Sequence, residues 1–166
     1  MKVVLNKELI DESKASISIW DRGFLLGDGI FETLKFADGQ IEFLEEHWSR
    51  LKNSSEVTGI NIPLSQTEAE SLIRDLVKAN ELDSAAIRLT LSRGVAGSGL
   101  SAPKDIVSTL LITATQVPDL SKAKSVGIKV VSYKESGVNK SQSLGAVKAT
   151  NYLINILAKR YAEEQG

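Results

Sequence analysis

The chain of 166 residues contains no cysteine and one histidine, His47. Disulfides and thiolate-bound metals are excluded, and a zinc or iron centre would have to rest on carboxylates almost alone, so no metal is expected. An excess of charge of one sign is also lacking. The formal net charge is −1, and no run of Lys and Arg is interleaved with aromatics, so nucleic acid is not an expected partner. Long hydrophobic runs are missing too. Val3-Val4-Leu5 is cut by Asn6-Lys7-Glu8, far short of a signal segment, and no stretch elsewhere reaches membrane-spanning length. The expectation is a cytoplasmic protein with no membrane partner. A hydrophobic content of 42% suffices for a packed core, and the length allows one ordinary domain or a small domain with part of another.

Strand signals dominate the first forty residues: Val3-Val4-Leu5, the alternation Ala15 to Ile19, and Ile30 to Phe36. Asp38-Gly39 predicts a tight turn with a return strand over Gln40 to Leu44. From Glu45 the spacing of Leu44, Trp48, Leu51 and Ser55 predicts a helix that ends at Gly59. Ser65 and Glu68 form a capping-box pattern before a second helix with the stripe Ala69, Leu72, Ile73, Leu76 and Val77. Ala85 to Ser92 alternates as a half-buried strand, Arg93 to Pro103 is a glycine-rich loop, and Ile106 to Val117 is a longer buried strand. Val126 to Tyr133 is expected to be a strand, Lys134 to Gly145 a polar loop, and Asn151 to Glu164 a helix with Leu153, Ile156, Leu157 and Tyr161 inward. Strands with two consecutive helices between them imply an α+β layer rather than a βαβ alternation. The polar stretch beginning at Pro118 suggests a boundary: a small N-terminal domain over 1–117, a linker over 118–125, and the opening of a second domain over 126–166.

Three motifs carry the chemistry. Lys148, preceded by Leu144-Gly145-Ala146-Val147, sits in an apolar setting that disfavours the charged ammonium, so its neutral amine can attack a carbonyl. The bland alternative is a solvated surface lysine. Arg50 could simply pair with Glu46 one turn earlier, and His47 fits a satisfied structural histidine. Gly27-Asp28-Gly29 alone marks only a sharp turn.

Taken together, Asp21-Arg22-Gly23 through Gly27-Asp28-Gly29 to Phe31-Glu32-Thr33, then His47-x-x-Arg50-Leu51 and Lys148-x-x-Asn151-Tyr152, resemble the class IV aminotransferase family of pyridoxal-phosphate enzymes. That family includes branched-chain and D-amino-acid aminotransferases and aminodeoxychorismate lyase. The resemblance implies the small α+β domain of a fold-type-IV enzyme, an antiparallel sheet with two helices, followed by the first strand and helix of the large domain. It implies pyridoxal 5'-phosphate as cofactor, Lys148 as its Schiff-base lysine and catalytic base, Arg50 as its phosphate ligand, and Tyr152 as a further cofactor contact. Phe31, Thr33 and Ser98 would line the substrate side, with Glu32 pointing the other way. Substrates would be an amino acid and a keto acid, or aminodeoxychorismate, and the protein would be a homodimer. The loop Ser92 to Ser101 is most similar to that of the lyase. The family continues well past the lysine, so this chain by itself is expected to hold the cofactor weakly and to turn over no substrate. The alternative is a non-catalytic folded or dimerising fragment that retains relic motifs.

Overall fold

The structure is a computed structural model, which describes residues 1–97, 99–133 and 147–166. Its centre is a six-stranded antiparallel sheet of order β2-β1-β6-β5-β3-β4. The strands are β1 (Lys2–Leu5), β2 (Glu8–Asp11), β3 (Gly29–Ala37), β4 (Gln40–Ile41), β5 (Ala85–Ser92) and β6 (Thr109–Gln116). Helices α2 (Leu44–Thr58) and α3 (Gln66–Ala79) cover one face, and the short α1 (Arg22–Leu26) leads into β3. Period-two alternation decides which side chains meet the helices. Ile30 and Leu34 of β3, Ile87, Leu89 and Leu91 of β5, and Leu110 and Ile112 of β6 are all buried with Leu51, Ile73 and Leu76 from the helices.

Local chemistry sets the boundaries. Asp38 and Gly39, with φ of 51° and 72°, make the tight turn from β3 to β4. Gly59 (φ 68°) caps α2, and at the start of α3 Ser65 Oγ accepts from Glu68 N while the Glu68 carboxylate accepts from Ser65 N at 2.7 Å. The antiparallel α+β architecture with two covering helices is the one anticipated.

Four elements differ from expectation. Ala15 to Ile19 is not a strand, and Ile17 and Ile19 are exposed. The positive φ of Asn6 and Lys7 instead folds the chain straight back, so that β2 takes the sheet edge. The return strand after Asp38-Gly39 stops at Ile41, because Phe43 (φ 53°) redirects the chain into α2. The segment 126–133 forms no strand; α4 (Ser121–Val126) occupies its start, and Val126 and Val130 are exposed. β-branched composition cannot make a strand without a neighbouring edge to pair with. The last helix, α5 (Leu153–Glu164), forms as expected, but its supposed inner face is uncovered: Leu153, Ile156 and Leu157 are exposed, and Tyr161 packs beside Tyr133.

Leu76 is fully buried between α3 and the sheet. Leu76→Ala is therefore expected to cost about 2–5 kcal/mol, and Ser65→Ala, which removes the cap, about 1 kcal/mol. Urea unfolding of both variants checks the ranking, and equal losses would contradict this placement of the helix.

Candidate active site

The two faces of β3 perform different tasks. Toward the helices its alternation presents Ile30, Glu32 and Leu34; toward the open face it presents Phe31, Thr33 and Lys35. Glu32 is thus an acid inside an apolar layer, with only 2% of its side chain accessible. Burying a lone carboxylate is prohibitive, and α2 supplies the remedy. Arg50 Nε donates to Glu32 Oε1 at 2.7 Å and Nη2 to Oε2 at 2.6 Å, while His47 Nδ1 lies 2.8 Å from Oε2. One helical turn carries both residues, which is why the spacing His-x-x-Arg serves one carboxylate. Burial opposes the ionisation of Glu32, but the hydrogen bonds and charges of Arg50 and His47 outweigh it and hold its pKa below the ordinary value. Reciprocally, the hydrogen bond from Glu32 raises the pKa of Arg50.

Arg50 is nonetheless half exposed. Its Nη1 makes no hydrogen bond among the described residues, so one edge of the guanidinium is available. Tyr152 lies near both Arg50 and Arg88.

On the open face, the register sets Thr33 opposite Arg88 and Phe31 opposite Thr90. The Arg88 guanidinium reaches diagonally over the Phe31 ring at 3.6 Å from its centroid, and Tyr152 meets the same ring edge-on at 5.1 Å. Arg88 has no carboxylate partner among the described residues, and burial lowers its pKa. The Lys148 ammonium also faces the ring, 4.6 Å from the centroid.

The lysine arrives there through backbone pairing. Ala149 bridges Ile30, Phe31 N donates to Lys148 O at 2.9 Å, and Thr150 N donates to Gly29 O at 2.9 Å. A strand edge therefore fixes the main chain on either side of Ala149, and the lysine side chain is left with no hydrogen bond or ion pair among the described residues.

Of the residues singled out in the sequence, Lys148, Tyr152 and Phe31 converge, and Thr33 is exposed on the same face beside Arg88. Arg50 approaches from the helix side, and its partner is Glu32 rather than Glu46. Ser98 lies outside the described residues, as do Lys134 to Gly145 and the apolar Leu144 to Ala146. Two site residues were not foreseen. Glu32 acts through Arg50, and Arg88 supplies an unpaired cation; for Arg88 the signal was present in the alternation of β5, which turns it away from the core. Among the described residues no group of His, Asp and Glu could hold a metal, and no helix is long and apolar enough to cross a membrane. A groove of roughly 670 Å³ lies away from this cluster, between Lys7, Pro63 and Asp105.

Because the folded pKa of Glu32 is depressed, its contribution to stability is fully present above the ordinary value of 4.5 and is lost as pH falls through the lower folded value. Glu32→Gln is expected to cost about 1–3 kcal/mol at neutral pH, discounted for the solvent around Arg50. The cost should shrink on acidification through that window. Denaturation midpoints measured against pH check this, and a pH-independent difference would contradict it.

Comparison with known proteins extends the geometry. The family model for amino-transferase class IV matches residues 29–166. A Methanocaldococcus jannaschii protein, provisionally named a branched-chain-amino-acid aminotransferase, is 36% identical over all of this chain and 57% of its own length. The D-alanine aminotransferase of Staphylococcus aureus strain N315 is 31% identical over 97% of this chain and 56% of its own. The crystal structure of Escherichia coli branched-chain amino acid aminotransferase superposes with a TM-score of 0.86 at 25% identity, covering 99% of this chain and 57% of that one. The chain thus spans little more than half the length of the relatives it matches. By its sheet, its lysine turn and this match, the chain belongs to the class IV aminotransferase family, whose members use pyridoxal phosphate.

Proposed function

We propose that the protein is a pyridoxal-phosphate-dependent aminotransferase in which Lys148 anchors the cofactor and Arg50 binds its phosphate. The observation that carries this reading is the position of Lys148 Nζ: it faces the Phe31 ring on the same face as Arg88, and neither cation has a hydrogen-bond or ion-pair partner among the described residues. Amino-group transfer is favoured over the lyase reaction because the Methanocaldococcus jannaschii and Staphylococcus aureus relatives described above, each more than 30% identical, are named as aminotransferases.

The residues fit the cofactor. Arg50 Nη1 is free to donate to a phosphate oxygen while Glu32 keeps the fork aimed. When bound, pyridoxal phosphate supplies an electron sink beside the carbon that bears the substrate amine. Lys148 would hold the cofactor, and its Nζ would be the group that moves the proton at the substrate α-carbon. Phe31 and Tyr152, ring against ring, would form an aromatic wall beside that amine. Arg88 faces the same space and suits a substrate carboxylate, with Thr33 beside it. Ser98 is retained as a substrate contact on the family resemblance alone.

In the same reading, residues 1–117 form the small domain, 118–125 the linker and 126–166 the opening of the cofactor domain. The protein would act as a homodimer on amino acids and keto acids. The uncovered side chains of Leu153, Ile156 and Leu157 support a further packing partner for α5.

Borohydride reduction in the presence of pyridoxal phosphate, followed by peptide mapping, is expected to place the pyridoxyl adduct on Lys148. An adduct solely on another lysine would overturn the assignment. Arg50→Ala is expected to weaken cofactor binding by about 2–4 kcal/mol, with Arg50→Lys a partial rescue. An unchanged affinity in Arg50→Ala would return the residue to a purely structural role.

A further inference from the structure

Asp28 lies between the two glycines that the lysine turn grips. Thr150 Oγ1 donates to Gly27 O at 2.9 Å and to Gly29 O at 3.2 Å. The approach is close: a Cβ on Gly29 would stand 2.9 Å from both Leu91 O and Thr150 Oγ1. Any shift of Asp28 is therefore passed to the lysine turn through the carbonyls on either side.

Asp28 is itself held twice by the same two arginines. Its backbone N donates to Arg22 O at 3.2 Å, and its backbone O accepts from Arg93 N at 3.0 Å. Its carboxylate accepts from Arg22 Nε at 2.8 Å and from Arg93 Nε and Nη2 at 2.7 and 3.0 Å. Each guanidinium then reaches a different segment. Arg22 donates to the carbonyls of Gly99 and Leu100 at 2.6 and 3.0 Å, and Arg93 donates to those of Thr58 and Gly59, at the end of α2, at 2.8 and 3.0 Å. Arg22 is 4% exposed and Asp28 18%, so one carboxylate balances two guanidiniums with little solvent to share the charge. An ordinary surface bridge would not need this arrangement.

We infer that Asp28 is a positioning residue: through Arg22 and Arg93 it holds the lysine turn, the glycine-rich loop and the helix that carries Arg50 in a single frame. Its value for catalysis rests on the reading of Lys148 proposed above, whereas the mechanical coupling does not. Loss of the Asp28 charge would leave two guanidiniums repelling one another, and all three segments would loosen together.

The test compares Asp28→Asn with wild type by two readouts that need no cofactor. Trypsin cleavage after Lys104 reports the loop, and the rate at which trinitrobenzenesulfonate labels Lys148, mapped by mass spectrometry, reports the lysine turn. Both rates are expected to rise by roughly tenfold, with amide exchange in β5 and β6 unchanged. Faster loop cleavage with wild-type labelling of Lys148, or no change in either, would overturn the inference. Should Asp28→Asn fail to fold, Arg22→Gln and Arg93→Gln each retain one partner on Asp28. Labelling of Lys148 is then expected to rise in both, and wild-type labelling in both would overturn the coupling. A response in these assays with a cofactor adduct on another lysine would sink the proposed role of Lys148 and leave the positioning role of Asp28 standing.

Discussion

A carboxylate buried in the apolar layer of a sheet is the constraint on which this site depends. Glu32 stands where the alternation of β3 calls for a hydrophobic side chain, flanked by Ile30 and Leu34. It is tolerable only with a cation delivered at hydrogen-bonding distance, and that requirement fixes the rotation of α2: Leu51 must enter the core while His47 and Arg50, from the adjoining stripe, close on Glu32. Removing either partner leaves the other side of the balance unmet. Arg50 is thereby oriented by Glu32 with Nη1 making no hydrogen bond among the described residues, the arrangement that a directed anion donor would need.

The same strand gives the open face its character. On either side of Glu32 the alternation places Phe31 and Thr33 outward, and antiparallel register brings Arg88 and, by the bridge at Ile30, Lys148 around the Phe31 ring. Two cations share one aromatic face with no carboxylate partner among the described residues, an arrangement that would suit an anionic ligand. The ring is worth only about 0.5–2 kcal/mol to each, too little to compete with a phosphate or carboxylate. Burial on one face and availability on the other thus follow from a single period-two pattern.

Much of this was legible in the sequence, and the limits have physical causes. The capping box at Ser65, the turn at Asp38-Gly39 and the Gly59 cap are local, so their residues suffice to announce them. The motif residues Lys148, Tyr152 and Phe31 were found through family resemblance, because their meeting is a matter of register that spacing alone does not reveal. Glu32 was placed on the correct side of β3 by alternation, yet its partners could not be, since the pairing depends on how α2 lies across the sheet. Val126 to Tyr133 and Ala15 to Ile19 misled for a different reason. Their composition suits a strand, but a strand exists only where an edge accepts it. The Asp28 network was hidden because, beyond the Asp28 carboxylate itself, the acceptors of Arg22 and Arg93 are backbone carbonyls, which carry no sequence signal.

The direct measurement is of selectivity for the phosphate. Binding of pyridoxal phosphate and of pyridoxal, which lacks the phosphate, is compared by calorimetry in the wild type and in Glu32→Gln, a variant that leaves every residue expected to touch the cofactor in place. If Glu32 holds Arg50 for an anion, the wild type prefers pyridoxal phosphate, and that preference falls by roughly tenfold or more in Glu32→Gln while affinity for pyridoxal is little changed. Equal preference for the phosphate in both proteins would contradict the view that this buried carboxylate organises the site.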